Sequence, residues 1–209
     1  SDVYKRQTII SSYDFYGVTM IFFIAMMGAT VPANAFLEKH IKNGNTRIFY
    51  SPVSRVSIYS SKILTCFLFM ALALTINIII FDTISLVNFG SDKIGYVILL
   101  IINFVLFLTI LSSAICVTLH SEELTNVILS NSMSVLGFLS GIFFPIASLG
   151  AIFEKIASFS PIKWTVDCIF QLIYDGQSTN YWWIMFALLT LSSLLLLVVH
   201  KNYRPEDYI

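Results

Sequence analysis

Charge is scarce in this sequence. Only 11% of its 209 residues are Asp, Glu, Lys or Arg, against about 25% in ordinary soluble domains, which excludes a conventional water-soluble globule. The 12 basic and 12 acidic residues cancel, so there is no electrostatic case for binding nucleic acid. Cysteine is sparse too. Cys66, Cys116 and Cys168 stand far apart with no metal-ligand or C-x-x-C spacing, and Cys66 and Cys116 fall in apolar runs, where a thiol behaves as a small hydrophobe. The phosphate-cradling G-x-x-x-x-G-K-[ST] loop is missing, which excludes ATP binding by that route. So are H-E-x-x-H and G-x-S-x-G, which removes a zinc protease and a hydrolase elbow. His40, His120 and His200 each stand at the end of an apolar run and read as interfacial side chains rather than metal ligands. Glu122 and Glu123 fall in a very short turn and read as a solvated loop. A catalyst is not expected.

What is present is apolar: 57% of the residues are hydrophobic, 18 of them Phe. They gather into five stretches, at about 15–37, 59–84, 95–119, 125–144 and 181–199. Each is close to the ~20 residues a helix needs to cross a bilayer core. None carries a charge near its centre, where Lys, Arg or Asp would cost about 2.5–3.5 kcal/mol. Tyr13, Phe15 and Tyr16 enter the first stretch, and Tyr181, Trp182 and Trp183 open the last, as interfacial belts do. Pro145 closes the fourth by disfavouring helix at the residue before it. The expected fold is all-α: a polytopic membrane helical bundle with five membrane-spanning helices of a full set of six.

Basic residues set the expected orientation. Lys39, Lys42, Arg47, Arg55, Lys62, Lys201 and Arg204 fall on one side, and Lys93, Lys155 and Lys163 on the other, with Lys5 and Arg6. The richer side is expected to be cytoplasmic, which puts the C-terminus inside and the N-terminus outside. Such a start without a signal segment suggests a further helix upstream. Residues 1–7, SDVYKRQ, resemble the read-through translation of a sequencing adapter, the alternative being a short polar external segment. They are set apart as a non-native start, leaving 8–209 as one transmembrane domain.

Two segments outside the spans carry pattern. Residues 38–62 form a basic connector, yet Ile48, Phe49 and Tyr50 sit in its middle and need something to dock against. Asn43-Gly44 reads as a helix end, and Ser51-Pro52 as the cap and first residue of the next helix. On the other side, Leu149, Ile152, Phe153, Ile156 and Ala157 repeat at helical spacing. Ser160-Pro161 then starts a second short helix through about Tyr174. Together these read as an external helical hairpin. Within the spans, Thr75, Asn77, Asn103, Thr109, Asn131, Ser132 and Ser134 either pack helices together or line a path. Gly137 and Gly141 form a small-xxx-small pair that allows close helix approach.

Three of these features together resemble the transmembrane subunit of the type-2 ABC transporter permeases. Glu38, Lys39, Lys42 and Gly44 ahead of SPVSR (51–55), with Lys62 beyond, are similar to that family's acidic-basic-glycine stretch and its proline-valine-serine segment. LSGIFFP (139–145) is similar to the segment that closes its fifth span. SPIKWTVDCIFQLIYDG (160–176) resembles its external helix before the last span. The likeness runs from about Tyr13 to the C-terminus. Two departures stand out: Gly150, where the family often has proline, and Gly44-Asn45, where it has glycine-threonine.

The resemblance implies a permease subunit of a bacterial ABC exporter in the inner (cytoplasmic) membrane, truncated at its N-terminus. It would work as a homodimer or heterodimer of permease subunits with cytoplasmic ABC ATPase subunits. ATP and Mg would be bound by the ATPase partner, with no cofactor in this chain. The connector would be the coupling helix, with Glu38, Lys42, Gly44, Arg47, Ile48, Phe49, Tyr50, Pro52 and Arg55 meeting the partner. Gly141, Phe143, Phe144 and Pro145 would help close an external gate. The cargo would be a drug or other small hydrophobic compound. Two other readings stand beside this one. One is a membrane scaffold that recruits a cytoplasmic protein without transport. The other is a secondary transporter fragment, although the spans lack the midplane ionisable residue it would need.

Overall fold

The computed structural model describes residues 12–37, 53–84, 87, 89, 93–143, 155, 157–175 and 180–203. Among them every regular element is helical: α1 (Ser12–Met27), α2 (Thr30–Leu37), α3 (Arg55–Thr83), α4 (Ile94–Leu119), α5 (Glu122–Leu139), α6 (Pro161–Phe170) and α7 (Tyr181–Asn202), with a π-helical turn, Gln171–Asp175, prolonging α6. Among the described residues four segments are long and apolar enough to cross a membrane: Tyr13–Leu37, Arg55–Thr83, Ile94–Leu119 and Tyr181–Asn202. The all-α membrane bundle is as the sequence predicts. The stretch expected as the fourth span is also a helix, α5. Its Glu122, Glu123, Asn126 and Asn131 make it more polar than the other four, and it stands outside that group.

The first expected span is broken. The Gly28 N–H still bonds to the Ile24 carbonyl at 2.9 Å, but the Ala29 N–H turns to Met26 at 3.1 Å. The cause lies at Pro32, which has no N–H to offer Gly28 four residues back. The Gly28 carbonyl accepts from Val31 instead, at 3.0 Å, and α2 restarts from there. Gly28 is also where α3 comes close, since a Cβ there would run into the end of the Met70 side chain.

Helix α3 begins at Arg55, capped by Ser54, whose hydroxyl accepts the Ser57 N–H at 3.2 Å. This corrects the expected start at Ser51-Pro52: the serine with extended backbone and a side chain on the first turn is Ser54. At 29 residues, α3 is ~43 Å long, more than the ~30 Å hydrocarbon core. Helices α4 and α5 are joined through His120 and Ser121 alone. His120 adopts left-handed backbone, φ 53°, as its N–H closes the last turn onto Cys116 at 3.1 Å. Ser121 then caps α5.

Helix α5 stops at Leu139, short of the expected Phe144. Gly141 takes φ 82°; its N–H reaches the Phe138 carbonyl at 3.4 Å, and the Ile142 N–H reaches Gly137 at 3.3 Å. This pair of bonds is the Schellman termination, which requires left-handed backbone at its glycine. Gly141 is therefore a helix stop. Its partner Gly137 has at least 3.7 Å of clearance around an added Cβ, so the close-approach reading of the pair is corrected.

The core is built around α4. From Asn103 to Ser113 almost every residue is buried, as in a helix surrounded by others. It packs most extensively on α7, and also against α1, α2, α3, α5 and α6. Thr109 and Ser113 can be buried there because their hydroxyls bond to carbonyls one turn back, each at 2.8 Å. Asn103 ties α4 to α7 by donating to the Met185 carbonyl at 3.0 Å.

Candidate functional site

The candidate site is the end of the bundle from which the connector departs, together with the opposite end that it has to influence. Glu38, Lys42, Gly44, Arg47, Ile48, Phe49, Tyr50 and Pro52 lie outside the described residues, as do Phe144, Pro145 and most of the first hairpin helix. Arg55, Gly141 and Phe143 are described. Arg55 is exposed at the first turn of α3, where the connector joins the bundle.

The helix ends flanking the connector form a fixed platform. Phe36, one residue before the end of α2, is fully buried. Its ring lies 6.0 Å from that of Tyr203, the residue that ends α7, in an edge-on arrangement. Tyr203 in turn lies 5.5 Å from the ring of Tyr59 in the second turn of α3. The Tyr59 hydroxyl meets His200 Nδ1 at 3.1 Å, and Lys62 Nζ stands 5.2 Å above the Phe36 ring, within cation–π range. The ends of α2, α3 and α7 are thereby held as one unit. Burial, aided by the electrostatic influence of Cys116, pushes the Tyr203 phenol up to about 12. It stays neutral at any physiological pH.

The sequence did not reveal this platform. Its signals were a Tyr at the start of one span and another just beyond the last, with Phe36 reading as ordinary apolar filling. The His200 reading as an interfacial side chain is compatible with its bond to Tyr59. Among the described residues no group of three His, Cys, Asp or Glu is placed to hold a metal ion.

At the other end, the segment after α5 lies against α1. Ile142 is fully buried, and Phe143 packs edge-on to Phe23 with centroids 5.1 Å apart. Above this contact, Phe15 of α1 stacks on Phe170 of α6 at 5.3 Å, and Phe170 stacks on Tyr174 of the π turn at 6.1 Å. Burial first, and the charge of Asp14 second, raise the Tyr174 phenol to about 12. The start of α6 is tied to the end of α5 through Ser140 and Ser160, whose hydroxyls are 3.4 Å apart. The proline-led start at Ser160-Pro161 is where the sequence put it.

One kinked segment thus touches both ends. Helices α1 and α2 carry Phe15 and Phe23 against the external aromatics and Phe36 against the platform beside the connector. The polar span residues divide between roles. Asn77 bonds within its own helix and Asn103 binds α7, while Asn131, Ser132 and Ser134 are exposed on α5. Nearby, Asn126 donates to Asn34 of α2 at 2.8 Å.

A sequence-family model described as ABC-2 family transporter protein matches residues 2–199. No curated protein and no solved structure matches the chain. With a match over nearly its whole length, on a bundle of apolar helices long enough to cross a membrane, the chain belongs to the ABC-2 family of transporter proteins.

Proposed function

We propose that the chain moves a substrate outward across a bacterial inner membrane, using ATP that a separate subunit hydrolyses with Mg. Family membership makes it a multi-pass permease subunit of an ABC transporter that works with an ABC ATPase subunit. The finer reading rests chiefly on one observation: the kinked α1–α2 segment packs at one end beside the connector and at the other on the segment after α5. A displacement of the connector, residues 38–52, by the ATPase has a packed route to Gly141–Phe143. Packed side chains carry such a displacement because they shift between discrete arrangements rather than deform.

In this reading the connector is the coupling element, with Ile48, Phe49 and Tyr50 entering a groove of the ATPase. Burying each could gain about 1.5–3 kcal/mol, with Glu38, Lys42, Arg47 and Arg55 at the rim. Gly141, Phe143, Phe144 and Pro145 form the external gate. The permease works as a dimer. Exposed Asn131 and Ser132 on α5 are unsuited to lipid and suited to a second permease copy or a polar path between copies, whereas the Ser134 hydroxyl donates to the Ser130 carbonyl of its own helix at 2.7 Å. The proposed cargo is a small hydrophobic compound, such as a drug.

Two measurements test this reading. A thiol introduced by Asn45→Cys should be labelled only from the cytoplasmic side; labelling from outside intact cells would overturn the orientation. ATP-dependent accumulation of a hydrophobic dye in inverted vesicles should need both this chain and its ATPase. Co-purification with the ATPase but no ATP-dependent flux of any hydrophobic dye would favour the scaffold reading.

A further inference from the structure

Between α6 and the start of α7 lies a half-open cavity of about 380 Å³, lined by Trp164, Asp167, Gln171, Asn180, Trp183 and Ile184. Its volume falls within the range of small-molecule sites, and its wall is part aromatic, part polar. The Trp164 indole N–H is already used, donating to the Ser158 carbonyl at 2.6 Å, so what that ring has left for a ligand is its π face. Trp183 is 71% exposed. The Asp167 carboxylate is half exposed and meets Lys163 Nζ at 3.0 Å. Lys163 is the more buried partner, at 16% exposure against 49%.

A carboxylate beside indole faces favours a cation, because the ring quadrupole and the charge both attract one. The Lys163–Asp167 pair is net neutral, but Asp167 lines the cavity and Lys163 does not, so the pair turns its negative end inward and disfavours an anion. Location narrows the choice further. Tyr96, Tyr181, Trp182 and Trp183 gather at this end of the bundle, the belt expected at headgroup level. Phe186, Leu194 and Leu197 follow Trp183 at helical spacing, and each is exposed. Thr190 stands between them with its hydroxyl donating back to the Ala187 carbonyl at 2.8 Å, so the face leading away from the cavity is largely apolar.

The geometry points to a site for an amphiphile with a primary ammonium head: the head sits between Trp164, Trp183 and the Asp167 carboxylate, and the tail lies along α7. The ammonium displaces Lys163 from one carboxylate oxygen. A phospholipid with an ethanolamine headgroup and a single-chain alkylamine share this chemistry. The site stands independently of the transport reading.

The experiment uses the full chain purified in detergent, with native mass spectrometry to count bound phosphatidylethanolamine and phosphatidylglycerol, and tryptophan fluorescence to follow titration with dodecylamine. Phosphatidylethanolamine should be retained in preference, and Asp167→Asn should weaken it about tenfold, the order expected for losing a charge-assisted contact. Lys163→Gln should strengthen it, because the carboxylate loses its competitor. That variant carries the test by itself if Asp167→Asn lowers thermal stability. Binding of the phospholipid without dodecylamine identifies a lipid site, and binding of both identifies a general site for ammonium amphiphiles. Retention unchanged in both variants, or a preference for phosphatidylglycerol that Lys163→Gln abolishes, would overturn the proposal.

Discussion

Phe36 and Tyr203 hold their rings 6.0 Å apart and 79° from parallel, joining the end of α2 to the end of α7 directly beside the connector. Edge-on aromatic pairs add about 0.5–1.5 kcal/mol beyond their area burial, and Tyr59 and Lys62 extend this pair into α3. The helix ends that flank residues 38–52 in the chain, those of α2 and α3, are therefore joined to each other and to α7 by packed side chains.

Truncating that anchor should be costly. Phe36→Ala removes a fully buried ring and should destabilise the chain by about 3–5 kcal/mol, as large-to-small core changes do. Unfolding by SDS titration in mixed micelles would measure it. A cost below ~1 kcal/mol would mean that the platform is not packed as described.

Alkaline pH should weaken the fold. Tyr203 and Tyr174 have phenols raised from 10.0 to about 12, so between these values the folded chain holds protons that the unfolded chain has released. Stability is fully present below pH 10 and is lost as pH rises towards 12. Thermal unfolding in detergent should show a lower midpoint at pH 11.5 than at pH 9. Absorbance at 295 nm should show a late-ionising fraction of the tyrosines, with Tyr203 and Tyr174 in it.

Two glycines should respond oppositely to alanine. Gly141→Ala places a Cβ on left-handed backbone, φ 82°, at a cost of roughly 1–2 kcal/mol. Gly95, in the first turn of α4, has nothing within 4 Å of an added Cβ, and Gly95→Ala should stabilise by about 0.4–1 kcal/mol. Melting midpoints of the two variants, read side by side, check both the Schellman stop and the packing of α4.

Four of the five expected spans were legible because each is an apolar run ended by interfacial aromatics or a polar turn, and Ser160-Pro161 announced α6 by its own chemistry. The break in the first span was harder to see. Gly28 and Pro32 stand in an uninterrupted apolar stretch, and the consequence follows only when the proline's missing N–H is matched to the Gly28 carbonyl. LSGIFFP read as the end of a span because its residues are apolar, whereas Gly141 terminates the helix first. The aromatic platform could not be read at all. Phe36, Tyr59 and Tyr203 are far apart in the chain, and only the packing of α2, α3 and α7 brings them together.

The central claim is that the connector couples this bundle to an ATPase, and Phe49→Asp tests it most directly. The variant should insert and fold, because Phe49 stands in the basic connector between two apolar stretches of the sequence rather than within either. ATP turnover of the complex reconstituted in proteoliposomes should fall to that of the ATPase alone, and the two subunits should no longer co-purify. Turnover and co-purification equal to those of the unaltered chain would contradict the coupling assignment.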